Sequence, residues 1–167
     1  MIATVLEQLV ETLEPWSNAV SNSTALSAGL TFVHLGAMMI GGGLAIGADR
    51  LVLKAPRAAD ATTRRAVADA VGDVHRVVII ALTCSLITGL LQVAADLESL
   101  SGNWILWVKA ALVASLCANG VVMVRDERAV RRAPQMVAPF LALRVRAATS
   151  IALWMLIVLA GVGLMQG

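Results

Sequence analysis

Charge is scarce in this sequence, and that scarcity is the first constraint. Of 167 residues only 14% are charged while 59% are hydrophobic, and the mean hydropathy is +0.82. A soluble domain carries about a quarter charged residues, so no ordinary water-facing exterior can be assembled from what remains. Lipid must cover much of the surface. There is no tyrosine, and there are two histidines and two cysteines. Cys84 and Cys117 both lie inside apolar runs, which excludes a disulfide framework and a cysteine-type zinc motif. No nucleophilic triad can be drawn, and the apolar runs hold no acidic residue, so proton pumping and acid–base hydrolysis have few candidates. The first fourteen residues, MIATVLEQLVETLE, lack the basic start and small-residue cleavage site of a signal peptide. No repeat, nucleotide-binding loop or nucleic-acid module is present.

What is there is apolar length. A bilayer core needs about 20 mostly apolar residues per helix, and four segments qualify: 24–48, 77–95, 104–124 and 147–165. Backbone polar groups in lipid must be satisfied internally, which leaves helices as the reading of such runs. The expected fold is therefore an all-α integral membrane four-helix bundle, a single domain over 1–167. The thirteen Lys and Arg residues sort sharply. Arg50, Lys54, Arg57, Arg64, Arg65 and Arg76 fall between the first and second spans. Arg125, Arg128, Arg131, Arg132, Arg144 and Arg146 fall between the third and fourth; only Lys109 departs from the pattern. By the positive-inside rule that face is cytoplasmic, so both termini are expected outside, in a bacterial inner membrane.

Ahead of the spans, Ile2, Val5, Leu6, Leu9, Val10 and Leu13 recur at helical spacing, with Glu7, Glu11 and Glu14 elsewhere. This predicts a short amphipathic helix over 1–14, ended by Pro15 and anchored by Trp16. It either lies on the outer membrane boundary or, being acidic where interfacial helices are usually basic, covers a partner subunit or roofs a site. The Ala-rich stretch 57–73 either extends the second span's helix or forms a surface helix. Trp16, Trp104 and Trp107 read as an outer aromatic belt.

An ionisable residue inside a membrane span is a functional candidate, because its burial costs a few kcal/mol even on forgiving scales. His34 sits near the middle of the first span, in TFVHLGAMMIGGGLAIGADR, and His75 opens the second beside Arg76. One reading of the pair is a b-type haem held by imidazoles from neighbouring helices. Gly41, two turns from His34 on the same face, with Gly36, Gly42, Gly43 and Gly47, would open room for the macrocycle, and Arg76 or Lys109 would pair with its propionates. The other reading is a packing seam, since small residues let membrane helices approach closely, with His34 bonded to a Ser or Thr.

Depth bears on whether one iron can take both histidines as ligands. Measured from the centres of the apolar runs, they differ by about 16 Å; measured from a turn near Pro56–Ala58, by about 8 Å. The two counts disagree, and His34 is the better ligand candidate of the two. Lys109 either snorkels to the outer headgroups or stands near the depth of His34. Copper is a weaker alternative, resting on Met38, Met39, Met123, Cys84 and Cys117 as soft donors. Asn119 is expected to bond across to another helix. Trp154 reads as a packing residue or a ring neighbour.

Two segments carry a resemblance. VHLGAMMIGGGL, and NWILWVKAALVASLCANG followed by RDER, resemble elements of the four-helix HemJ-type protoporphyrinogen oxidases and of the membrane domain of CopD-type copper-resistance proteins. The likeness spans about two of the four helices. It implies His34 as a haem or metal ligand and Lys109 as its essential partner. The oxidase type carries a further His just before its Lys, where this chain has Trp107 and Val108, so the substrate does not carry over. The sequence thus leads to a membrane b-type haem protein in electron transfer, exchanging with quinone or with a partner subunit or second copy. The alternatives are a HemJ-like oxidoreductase, a cofactor-free structural subunit and a copper-handling protein.

Overall fold

The structure, a computed structural model, describes residues 2–164, with side chains from Glu7 onward. Over those residues it is all-α: α1 (Ile2–Ser21), α2 (Thr24–Lys54), α3 (Ala61–Ala95), the single-turn-scale α4 (Leu97–Ser101), α5 (Trp104–Arg132) and α6 (Val137–Leu164). The four long helices are each long and apolar enough to cross a membrane. They form an antiparallel ring in which α2 touches α3 and α6, and α5 touches the same two. Met165, the expected last residue of the fourth span, lies outside the described residues.

The helices overrun the apolar segments that mark them. At ~1.5 Å per residue α2 is about 46 Å long and α3 about 52 Å, against ~30 Å of hydrocarbon. The excess is at the basic end, where the expected spans stopped at Ala48 and Val124 while the helices run on to Lys54 and Arg132. α3 begins at Ala61, so most of the Ala-rich stretch extends the second span's helix. Local chemistry sets these limits. Ser23, Asp60 and Asn103 cap α2, α3 and α5 by accepting from the backbone N–H of Leu26, Thr63 and Ile105. At the other end of α2, Arg144 of α6 donates Nη1 to Val52 O (2.9 Å) and to Ala55 O, and Nη2 to Leu53 O (2.9 Å). A cation thereby fills the carbonyls that a helix end leaves bare.

Packing is tightest at the basic end, where Val52, Val71, Val130, Phe140, Leu143 and Ala147 form one buried cluster. Leu116, Trp154 and Ile157 form a second, further along the bundle. Large apolar side chains cover the outside: Phe32 is 78% exposed and Met39 77%, a surface suited to lipid.

α1 does not end at Pro15; the proline lies inside the helix. A mid-helix proline removes one backbone hydrogen bond, and two side-chain bonds to α3 help hold the last turns in place. Trp16 Nε1 donates to Leu91 O (2.9 Å) and Ser17 Oγ to Ala95 O (2.7 Å). Trp16 thus serves as an interhelical tie, and α1 docks on the end of α3, leaving Glu7, Glu11 and Glu14 exposed.

Candidate functional site

His34 is half-buried on α2 and faces α3. Its Nδ1 lies 2.9 Å from Ser85 O, 3.2 Å from Thr88 Oγ1 and 3.3 Å from Ser85 Oγ. A carbonyl can only accept, so Nδ1 carries the proton and, in the neutral ring, Nε2 keeps its lone pair. Gly89 makes the approach possible: a methyl added there would lie 3.1 Å from His34 Cε1. An imidazole oriented through an Nδ1–H bond to a backbone carbonyl is how proteins commonly prepare a metal-binding histidine.

The glycines after His34 divide by face. A methyl at Gly41 would lie 3.0 Å from the Ala81 Cβ, and one at Gly42 would lie 3.1 Å from the Trp154 indole; nothing lies near Gly36, Gly43 or Gly47. Ala81 and Trp154 therefore fill the groove that Gly41 opens. That face is a close helix–helix contact, with no room left beside Gly41 for a flat macrocycle.

The two histidines do not share a site. The contacts of His34 on α3, Ser85 and Thr88, are 10 and 13 residues beyond His75, or about 15–20 Å along the helix. The count from the apolar centres agrees with this; the count from the turn does not. The turn count assumed that α2 and α3 rise evenly from Pro56–Ala58. Gly41, 15 residues before Pro56, instead packs on Ala81, 23 residues after Ala58, because α3 starts deeper at the basic end.

His75 has partners of its own. Its Nδ1 is 2.9 Å from Glu127 Oε2 on α5. Glu127 Oε1 lies 2.8 Å from Arg131 Nε, which is also 3.2 Å from Asp69 Oδ1 on α3. Arg131 Nη2 donates to the carbonyls of Ala68 and Asp69. The cluster bridges α3 and α5, and Gly72 is what lets the guanidinium reach the α3 backbone: a Cβ there would collide with it. Arg76 is exposed and takes no part. Lys109 is half-buried, its Nζ resting against Gly161 of α6 at the same end of the bundle as His34. Among the described residues no three His, Cys, Asp or Glu side chains converge on one point. Met38 packs against the Leu116–Trp154–Ile157 cluster.

Two acidic groups escaped the sequence reading. Asp49 is 2% exposed and Glu127 4%, each just past the end of an expected span. Both lie on the inward stripe of their helix, Gly41–Gly42–Ala48–Asp49–Val52 and Leu116–Asn119–Met123–Glu127–Val130. Following that periodicity past the hydropathy limit would have found them. Asn119 does bond across helices, its Nδ2 donating to Arg146 O on α6 (3.1 Å). Comparison with family models, with curated proteins and with solved structures finds no match for this chain.

Proposed function

We propose that this protein is an integral membrane electron-transfer protein carrying a b-type haem on His34. The observation that supports this reading is the state of that imidazole: set in an apolar span, with Nδ1–H bonded to Ser85 O and the Nε2 lone pair free to ligate. Lys109, half-buried at the same end of the bundle with its Nζ against Gly161, would hold an anionic group such as a propionate. His75 would not be a second ligand, because it faces Glu127 at 2.9 Å on another level of the bundle. A haem at His34 supplies a one-electron couple. The chain's own part is to fix the imidazole, exclude water with the surrounding apolar side chains, and supply one positive charge. In this reading the basic end is cytoplasmic, both termini lie outside a bacterial inner membrane, and electrons pass to or from quinone or a partner subunit.

One observation favours a cofactor-free bundle instead: Ala81 and Trp154 fill the space beside Gly41. The visible spectrum of detergent-purified protein, oxidised and then dithionite-reduced, separates the two. The haem reading expects a Soret band with sharpened α and β bands on reduction, lost in His34→Ala and kept in His75→Ala. A flat spectrum after expression with ample haem, or a His34→Ala protein with unchanged bands, refutes it.

A further inference from the structure

Between α3 and α5 lies a cavity of about 370 Å³, at the small end of the ~300–1,000 Å³ range of small-molecule sites. Its walls are aliphatic, including Val78, Leu82, Val113 and Leu116. Its mouth is lined by Ile79, Thr83, Leu86, Cys117 and Val121, side chains that are exposed on the outside of the bundle. Those residues belong to the apolar stretches of both helices, so the mouth opens sideways into the hydrocarbon.

Inside, the cavity is lined by four polar residues: Asp49, Ser150, Asn119 and His75. His75 Nδ1 lies 2.9 Å from Glu127 Oε2. Besides His75 Nδ1, whose contact with Glu127 is not aligned as a hydrogen bond, two lining atoms have no partner: Asp49 Oδ2 and Asn119 Oδ1. Their residues are only 2% and 7% exposed. The identity of the Asn119 oxygen is fixed, because its Nδ2 is spent on a carbonyl that can only accept. Asn119 Oδ1 is therefore an acceptor, Asp49 Oδ2 is one while its carboxyl is ionised, and burying either unpaired costs about 1–3 kcal/mol. What they lack is a donor.

We propose that this cleft binds the head of a hydroxyl-donating ring lipid of the hydroquinone class, which enters from the bilayer between α3 and α5. Its hydroxyls donate to Asp49 Oδ2 and Asn119 Oδ1, its ring lies among the aliphatic walls near Trp154, and its tail leaves through the mouth. Phosphate-bearing lipid heads are disfavoured, because a carboxylate and an amide oxygen face the ligand while the neighbouring cation, Arg131, is already taken by Glu127 and Asp69. The polar end of this cleft, at Asp49, lies 15 residues along α2 from His34, about 22 Å, and binding there does not depend on a haem.

The test is equilibrium binding to the full chain in phosphatidylcholine nanodiscs, read by mass spectrometry of the retained probe and not by haem absorbance. The probe is 2-decyl-1,4-hydroquinone kept anaerobic, and the control is its dimethyl ether, which has the same shape but no donors. Saturable one-to-one binding is expected for the hydroquinone, with the ether at least tenfold weaker. Asp49→Leu and Asn119→Leu should each weaken hydroquinone binding about tenfold. Val121→Trp, an exposed change at the mouth that leaves the core untouched, should abolish it, and keeps the test valid if the buried variants fail to fold. Equal binding of the ether, or normal binding by Val121→Trp, overturns the proposal. So does displacement of the probe by sodium chloride but not by choline chloride, which would assign the oxygens to a cation. Absence of binding leaves water as their partner and also overturns it.

Discussion

Replacing Gly72 by alanine should destabilise this protein, although helix propensity alone says the opposite. Glycine inside a helix costs about 0.5–1 kcal/mol relative to alanine, so at an indifferent position Gly72→Ala would stabilise by that amount. In the folded chain the new methyl would run into the Arg131 guanidinium and sit 2.6 Å from Glu127 Oε1. Arg131 must then leave, breaking its bonds to Ala68 O and Asp69 O and its 2.8 Å contact with Glu127. The arginine side chain, 35% exposed, recovers water; the glutamate, at 6%, does not. Removing one partner of a fully buried ion pair costs about 3–5 kcal/mol. Glu127 retains His75 and Arg131 is rehydrated, so about 2–3 kcal/mol is the better figure. Set against the propensity gain, the net loss is about 1–2 kcal/mol. Reversible unfolding in mixed detergent–SDS micelles would measure it, in the wild-type background and in Arg131→Met. With the guanidinium gone most of the collision goes too, and Gly72→Ala should become neutral or stabilising. A stabilising effect in the wild-type background, or the same effect in both, would show that the Gly72–Arg131 contact contributes nothing.

Arg144→Met should cost about 2 kcal/mol, because three carbonyls around the end of α2 lose a charged donor, each such bond being worth ~1.5–3 kcal/mol when buried and less here where water can reach the turn. Amide exchange should quicken in 52–60 and not in the middle of α2; Arg144→Lys should recover part of the loss. Asp60, the exposed cap of α3, has its carboxyl held below the ordinary value of 3.8, first by the Thr63 backbone N–H, then by the Thr63 side chain, and also by the charge of Arg64. A lowered folded-state value favours the folded chain when the group is ionised. The stability difference between the wild type and Asp60→Ala should therefore be full above pH 3.8 and shrink as the pH falls through the lowered value. A difference that grew on acidification would refute this.

Reading hydropathy along the chain was enough for the architecture. Lipid exposure demands runs of apolar residues and backbone self-satisfaction, and both are local properties, so the all-α class and the four long helices follow from sequence. The interhelical bond of Asn119 was legible for the same reason, since a lone amide in a span has few other uses. The ends of the helices were not. Hydropathy falls where charge begins, but α2 and α5 continue as amphipathic helices, and so Asp49 and Glu127 were left outside the spans that contain them. The proline at position 15 marks a helix end by local rules, yet the helix continues past it, with Trp16 and Ser17 bonded to α3.

Which residues meet is a matter of register, and register is set by pairs. Gly41 against Ala81 and Gly42 against Trp154 slide α3 along α2 until Ser85 and Thr88 stand level with His34 and His75 falls about three turns away. No single-chain count could yield that offset, because it arises from the fit of two surfaces. The partnership of His75 with Glu127 has the same origin, as does the convergence of Asp49, Asn119 and Ser150 on one cavity. These side chains come from three different helices, α2, α5 and α6, and only the closed bundle brings them together. Composition and periodicity by themselves determined that the chain is a bundle of membrane-crossing helices with one basic end; the tertiary structure decided which polar groups meet across helices and left Asp49 Oδ2 and Asn119 Oδ1 without partners in the cavity between α3 and α5.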